Sequence, residues 1–113
     1  MKTKLSAALL LSVLVPSLGA KDYPKIELKR AYAGIKTPKP ISVVLPPDAS
    51  GREFLVLQGG KILILPKDRN AAKAETFLDL SERDMIGNAF EEGLLGLVFH
   101  PKFAKNQKFY LYY

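Results

Sequence analysis

The first twenty residues, MKTKLSAALLLSVLVPSLGA, place Lys2 and Lys4 ahead of an apolar run from Leu5 to Val15 and end on small residues after Pro16. This is the order of a secretory leader. The run is too short for the roughly 20 residues a membrane-spanning helix needs, and Ser17 and Gly19 put small side chains where a signal peptidase reads. Cleavage is expected after Gly19 or Ala20, giving an exported chain, periplasmic or extracellular, with no transmembrane span left. The alternative, an uncleaved anchor, would call for a long stop-transfer pattern, and none follows. Residues 21–40 hold Pro24, Gly34, Pro38 and Pro40 among weakly alternating apolar positions, and read as an irregular or edge-strand lead-in.

Strand patterning starts after the lead-in. Residues 41–45 are rich in β-branched side chains and are closed by Pro46-Pro47 and the turn signal Asp48-Ala49-Ser50-Gly51. Residues 53–58 and 61–65 flank Gly59-Gly60, the mark of a hairpin with a primed turn. Both arms are apolar at consecutive positions, so both faces of this antiparallel pair must be covered, as in sandwiches and in the four-stranded blades of propellers. Residues 75–80 alternate, with Thr76, Leu78 and Leu80 on one side and Phe77 and Asp79 on the other, as expected of an outer strand. The four runs make one meander, a single blade. Ser81-Glu82-Arg83-Asp84 has the spacing of a helix start, ended by Gly87-Asn88. Residues 94–99 and 109–113 return to strand character across a polar loop that begins at His100-Pro101 and carries Lys102, Lys105, Asn106, Gln107 and Lys108. A second meander has therefore begun, and a chain that stops at Tyr112-Tyr113 inside an apolar strand is expected to be an incomplete product.

Composition narrows the chemistry. A chain of 113 residues buries one small core, and the absence of cysteine removes disulfides, thiolate metal sites and cysteine nucleophiles together. Any metal would need oxygen ligands or His100, the only histidine, and zinc chemistry is not expected. The net charge of +6 falls to +4 once Lys2 and Lys4 leave with the leader, and the remaining lysines are scattered, without the basic stripe that nucleic-acid surfaces show. No nucleic-acid partner is expected. Phosphate-loop, dinucleotide and nucleophile-elbow motifs do not occur.

Glu91-Glu92, before Gly93, is the only adjacent carboxylate pair. It suits proton transfer or calcium ligation, or else a solvated loop face, because neighbours on an extended loop point apart. His100, between Phe99 and Pro101, reads first as a hydrogen-bonded turn residue and second as a catalyst. Gly93-Leu94-Leu95-Gly96 has the spacing of an RNA-clamping loop but lacks its basic centre, so it reads as close backbone packing at a strand start. Phe109, Tyr110, Tyr112 and Tyr113 read as core and sheet-face residues, with a sugar-stacking platform as the alternative.

The run FEEGLLGLVFHPKFAKNQKFYLYY at 90–113, with Gly51-Arg52-Glu53-Phe54 and Gly59-Gly60-Lys61-Ile62 upstream, resembles the soluble PQQ-dependent sugar dehydrogenases, the glucose/sorbosone dehydrogenase family. The resemblance implies an all-β, six-bladed β-propeller, of which residues 41–113 would form the first blade and the start of the second, after a leader at 1–20 and a lead-in at 21–40. It also implies oxidation of an aldose by hydride transfer to PQQ, with calcium as a further cofactor and a separate electron acceptor. On that mapping Glu91 becomes a substrate contact, while Glu92, His100 and residues 93–99 are structural. The family's catalytic histidine, its quinone-holding basic residues and its calcium ligands fall beyond Tyr113, so no catalytic, PQQ or metal residue is assigned and the chain alone should be inactive. The competing expectation is a non-catalytic extracellular β-propeller that serves as a binding module.

Overall fold

Consecutive Val and Ile side chains disfavour helix through restricted χ1 rotation, and with Phe they pack well on a pleated surface. The computed structural model, which describes residues 23–83 and 89–113, converts these runs into six strands. Strands β1 (Pro40–Val44), β2 (Glu53–Leu57), β3 (Lys61–Leu65) and β4 (Glu75–Asp79) form a four-stranded antiparallel sheet in sequence order. Strands β5 (Gly96–Phe99) and β6 (Phe109–Tyr112) pair antiparallel in a second sheet. The chain is thus all-β, with the organisation of one propeller blade and the opening hairpin of the next. The leader at 1–20 lies outside the described residues.

Four local expectations need correction. The β2–β3 hairpin does not use a two-residue primed turn. Its loop is Gln58-Gly59-Gly60, with the Gly60 N–H donating to the Leu57 carbonyl at 3.1 Å. Only Gly60 of the two glycines has positive φ, +94°. A three-residue loop closed by a left-handed glycine is the next commonest hairpin solution, and here it leaves the Gly60 carbonyl free to accept the Leu80 N–H at 2.9 Å. In β4 the strict alternation fails. The register slips between Ile62 and Leu63, which pair with Leu78 and Thr76, so Phe77 and Leu78 both pack on the core. The polar loop at 100–108 contains a one-turn helix, α1 (Phe103–Asn106), because Phe103 is drawn into the core at 2% exposure. Gln107 ends that turn at φ 52°. The helix start expected at Ser81 shows only a turn, with the Arg83 N–H bonded to the Leu80 carbonyl, and its remainder at 84–88 lies outside the described residues.

The core sits between the two sheets. Phe54, Val56 and Ile62 from β2 and β3 meet Leu94, Leu97, Phe99 and Phe103, with Phe109 and Leu111 packed behind them. Phe54 forms edge-to-face pairs with Phe77 at 4.9 Å and Phe99 at 5.0 Å, and Phe99 pairs with Phe103 at 4.6 Å. Such geometry adds about 0.5–1.5 kcal/mol per pair beyond burial itself. The opposite face of the four-stranded sheet is covered differently. Leu57 and Leu65 are buried there, Leu55 is half-buried and Val43 is 49% exposed. The lead-in, which forms no strand over residues 23–39, provides part of the cover.

Candidate functional site

Three loops gather at one end of the blade: 58–60 after β2, 80–83 after β4 and 89–93 before β5. The gathering follows from main-chain bonds. Leu80 donates to the Gly60 carbonyl, and Leu94 donates to the Gln58 carbonyl at 2.8 Å. Gln58 then pins the third loop with its side chain, whose Nε2 donates to the carbonyls of Phe90 at 2.7 Å and Glu92 at 2.9 Å. One carboxamide thereby ties the hairpin turn of the first sheet to the strand start of the second. Gly93 makes this approach possible, since at φ +125° it lies so close to Gln58 that a Cβ would stand 2.3 Å from the Gln58 carbonyl oxygen.

On this scaffold Glu91 is exposed in a turn, consistent with a residue presented to solvent. The Glu92 carboxylate accepts the Ala89 N–H at 3.4 Å, while the Glu92 N–H donates to the Ala89 carbonyl at 3.3 Å. The two carboxylates therefore have different surroundings. Lys61 and Asp79 close the same end with an ion pair of 2.9 Å, and Ser81 donates to Asp79 through both its hydroxyl and its backbone N–H. These Ser81 hydrogen bonds, followed by Lys61, lower the Asp79 pKa from 3.8 to about 2. Asp48 is held at about 2 in the same way at its own turn, first by Ser50 and then by Arg52.

These depressed values fix a pH dependence. A carboxyl more acidic in the folded chain stabilises the fold above its unfolded pKa, and that contribution is lost as pH falls through the folded value. Stability owed to Asp48 and Asp79 should therefore be complete above about pH 4 and decline between about pH 4 and pH 2. Carboxyl chemical shifts followed from pH 5 to 1.5 would check this. Half-titration near 2 is expected for both aspartates, moving toward 3.8 for Asp79 in Ser81→Ala. Asp79 is well exposed, so its share of the stability change is small and weakens with salt.

His100 lies at the far side of the core. Its Nδ1 accepts the Lys102 N–H at 2.9 Å and lies 3.0 Å from Asn106 Nδ2, which fixes the ring against α1. The aromatics of β6 divide by strand alternation, with Phe109 facing Phe77 in the core and Tyr110 and Tyr112 on the outward face at 57% and 69% exposure. Among the described residues no three His, Asp or Glu side chains gather to hold a metal, and no helix is long and apolar enough to cross a membrane. Sequence reading singled out Glu91, which lies on this surface, and did not single out Gln58, which holds its loop. The one local signal of Gln58 was a polar residue wedged between the apolar β2 and two glycines.

No known family profile matches the chain. Individual relatives do. The chain is 33% identical over 95 residues to the HIPL2 protein of Arabidopsis thaliana, an alignment taking in 67% of this chain and 13% of the relative. It is 36% identical over 77 residues to mouse Hedgehog-interacting protein, covering 66% of this chain and 11% of that protein. With human Hedgehog-interacting protein the identity is 34% over 88 residues, or 76% of this chain and 12% of the relative. The chain thus spans only about an eighth of the length of these relatives. They are Hedgehog-interacting and HIPL proteins, not PQQ-dependent sugar dehydrogenases, and this corrects the family read from residues 90–113, along with the oxidoreductase and quinone chemistry attached to it. The sugar contact assigned to Glu91 had been implied by that family alone.

Proposed function

We propose that this chain supplies the opening blade and following hairpin of an exported β-propeller that works as a protein-binding module. The observation carrying this reading is its similarity, over 66% and 76% of the chain, to proteins named for interacting with Hedgehog. The blade end supports it physically. Loops 58–60, 80–83 and 89–93 form a surface fixed by main-chain and Gln58 hydrogen bonds, and rigid loops bind without a large ordering cost. Glu91 and the Lys61–Asp79 pair give that surface polar groups of both signs, which suit a partner-facing rim.

The test is direct binding of the full-length protein to a purified Hedgehog protein by biolayer interferometry. A Kd of about 1 μM or tighter, equivalent to about −8 kcal/mol, is expected, with Glu91→Ala weakening it. Absence of binding up to about 100 μM would remove Hedgehog proteins as the partner class. Aldose-dependent reduction of a dye by the same preparation would overturn the binding-module reading itself.

A further inference from the structure

The lead-in does more than precede the blade. Tyr32, held at φ 53°, sends its hydroxyl to Glu53 Oε2 at 2.9 Å on the first residue of β2. Arg69, from the loop between β3 and β4, reaches the other oxygen of the same carboxylate at 3.4 Å and places its guanidinium 5.3 Å from the centre of the Tyr32 ring. Three segments thus converge on one carboxylate. Burial, followed by the hydrogen bond and charge of Glu53, pushes the Tyr32 hydroxyl above its ordinary pKa, while Arg69 acts in the opposite sense. The hydroxyl therefore remains a donor.

A second, independent contact lies two residues on. Gly34 packs against the backbone of the Arg69 loop so tightly that an added Cβ would sit 2.9 Å from the Ala71 carbonyl oxygen. Between these two fastenings the chain turns, with the Ile35 N–H bonded to the Tyr32 carbonyl at 3.0 Å. Beneath the turn lies a groove of about 570 Å³, whose apolar floor is Val43, Leu45, Leu55 and Leu65 and whose wall is Tyr32 and Ile35.

We propose that residues 31–37 are a detachable strap, fastened by Tyr32, Glu53 and Arg69 and seated by Gly34, that closes over the open face of the four-stranded sheet. The physical case is the imbalance between fastening and cover. The strap itself is held by one hydrogen bond from Tyr32 to Glu53, one cation–π contact from Arg69 and the seating of Gly34, while the Arg69–Glu53 ion pair lies within the blade and only positions those two partners. The apolar floor it walls cannot be covered by its own sheet. Few contacts over a half-exposed face are the mark of a segment that opens without global unfolding.

The Ile35 amide reports on the strap, because its only described partner is within the strap turn. Hydrogen exchange should be measured on the full-length protein, comparing wild type with Tyr32→Phe, Glu53→Gln and Gly34→Ala. In each variant the Ile35 amide is expected to exchange about tenfold faster, while the ladder amides of Leu55 and Leu63 keep their wild-type rates. Gly34→Ala tests seating without altering a polar contact, so it stands even where Glu53→Gln perturbs β2. Unchanged Ile35 exchange in all three variants would overturn the strap. So would an equal acceleration of Leu55 and Leu63, which would make residues 31–37 part of the blade's single cooperative unit.

Discussion

Gly93→Ala is expected to cost about 3–5 kcal/mol and to loosen the β5–β6 hairpin from the first sheet, because backbone strain and overpacking act at the same atom. At φ +125° an L side chain is strained at any volume, and here the new Cβ would stand 2.3 Å from the Gln58 carbonyl oxygen. That oxygen cannot retreat freely. It accepts the Leu94 N–H at 2.8 Å, while the Gln58 side chain holds the carbonyls of Phe90 and Glu92. Moving it would give up hydrogen bonds that fix the loop. Gly59→Ala is the matched control, since an added Cβ there meets nothing within 4 Å and Gly59 does not have positive φ. Its stability should stay within about 0.5 kcal/mol of wild type. Urea unfolding of full-length protein checks the pair, and equal midpoints for the two variants would show that the approach at Gly93 carries no weight.

Phe54→Ala is expected to be comparably damaging, at about 3–5 kcal/mol, the range for truncating a buried aromatic ring. Phe54 is fully buried at the centre of the interface and contacts Phe77 of its own sheet and Phe99 of the other. Its loss removes two edge-to-face pairs along with the transferred apolar area, and rings fixed by their own strands cannot collapse into the space. Against a typical total stability of 5–15 kcal/mol, such a change moves a large fraction of molecules toward unfolding. Val43→Ala, at a side chain 49% exposed on the outer face, should cost far less. Thermal unfolding of both variants would separate burial from strand propensity, since each substitution removes a good strand former from the same sheet.

Gln58 shows why one part of the candidate site could not be read in advance. Its partners, the carbonyls of Phe90 and Glu92, lie 32 and 34 residues away, and no local pattern specifies such a bond. Glu91 stood out only as one of two adjacent carboxylates before a glycine, and its role as a sugar contact had come from the resemblance, not from that spacing. Residues 90–113 illustrate a different limit. Leu94, Leu97, Phe99 and Phe103 in that run are buried in the inter-sheet core, and Gly93 is set by the approach of Gln58. A segment shaped by packing specifies a blade junction. It carries little information about chemistry performed on other loops, so it identified the architecture while pointing to the wrong family.

By itself, the sequence determined the strands and their order. Consecutive β-branched and aromatic runs separated by turn residues, with short connections, leave an antiparallel meander as the simple pairing, and apolarity on both faces required cover on each side. Tertiary structure decided the rest. Whether Gly59 or Gly60 took the left-handed position depended on the Gly60 carbonyl meeting Leu80, and the slip at Ile62 and Leu63 arose because Phe77 and Leu78 both had room against the core. Phe103 folded a nominal loop into α1 by reaching a pocket beside Phe99. The strap followed the same rule, since Tyr32, Glu53 and Arg69 are unremarkable until three distant segments place them around one carboxylate. Periodicity is a property of neighbours along the chain, whereas register slips, pins and latches depend on contacts between residues far apart in it.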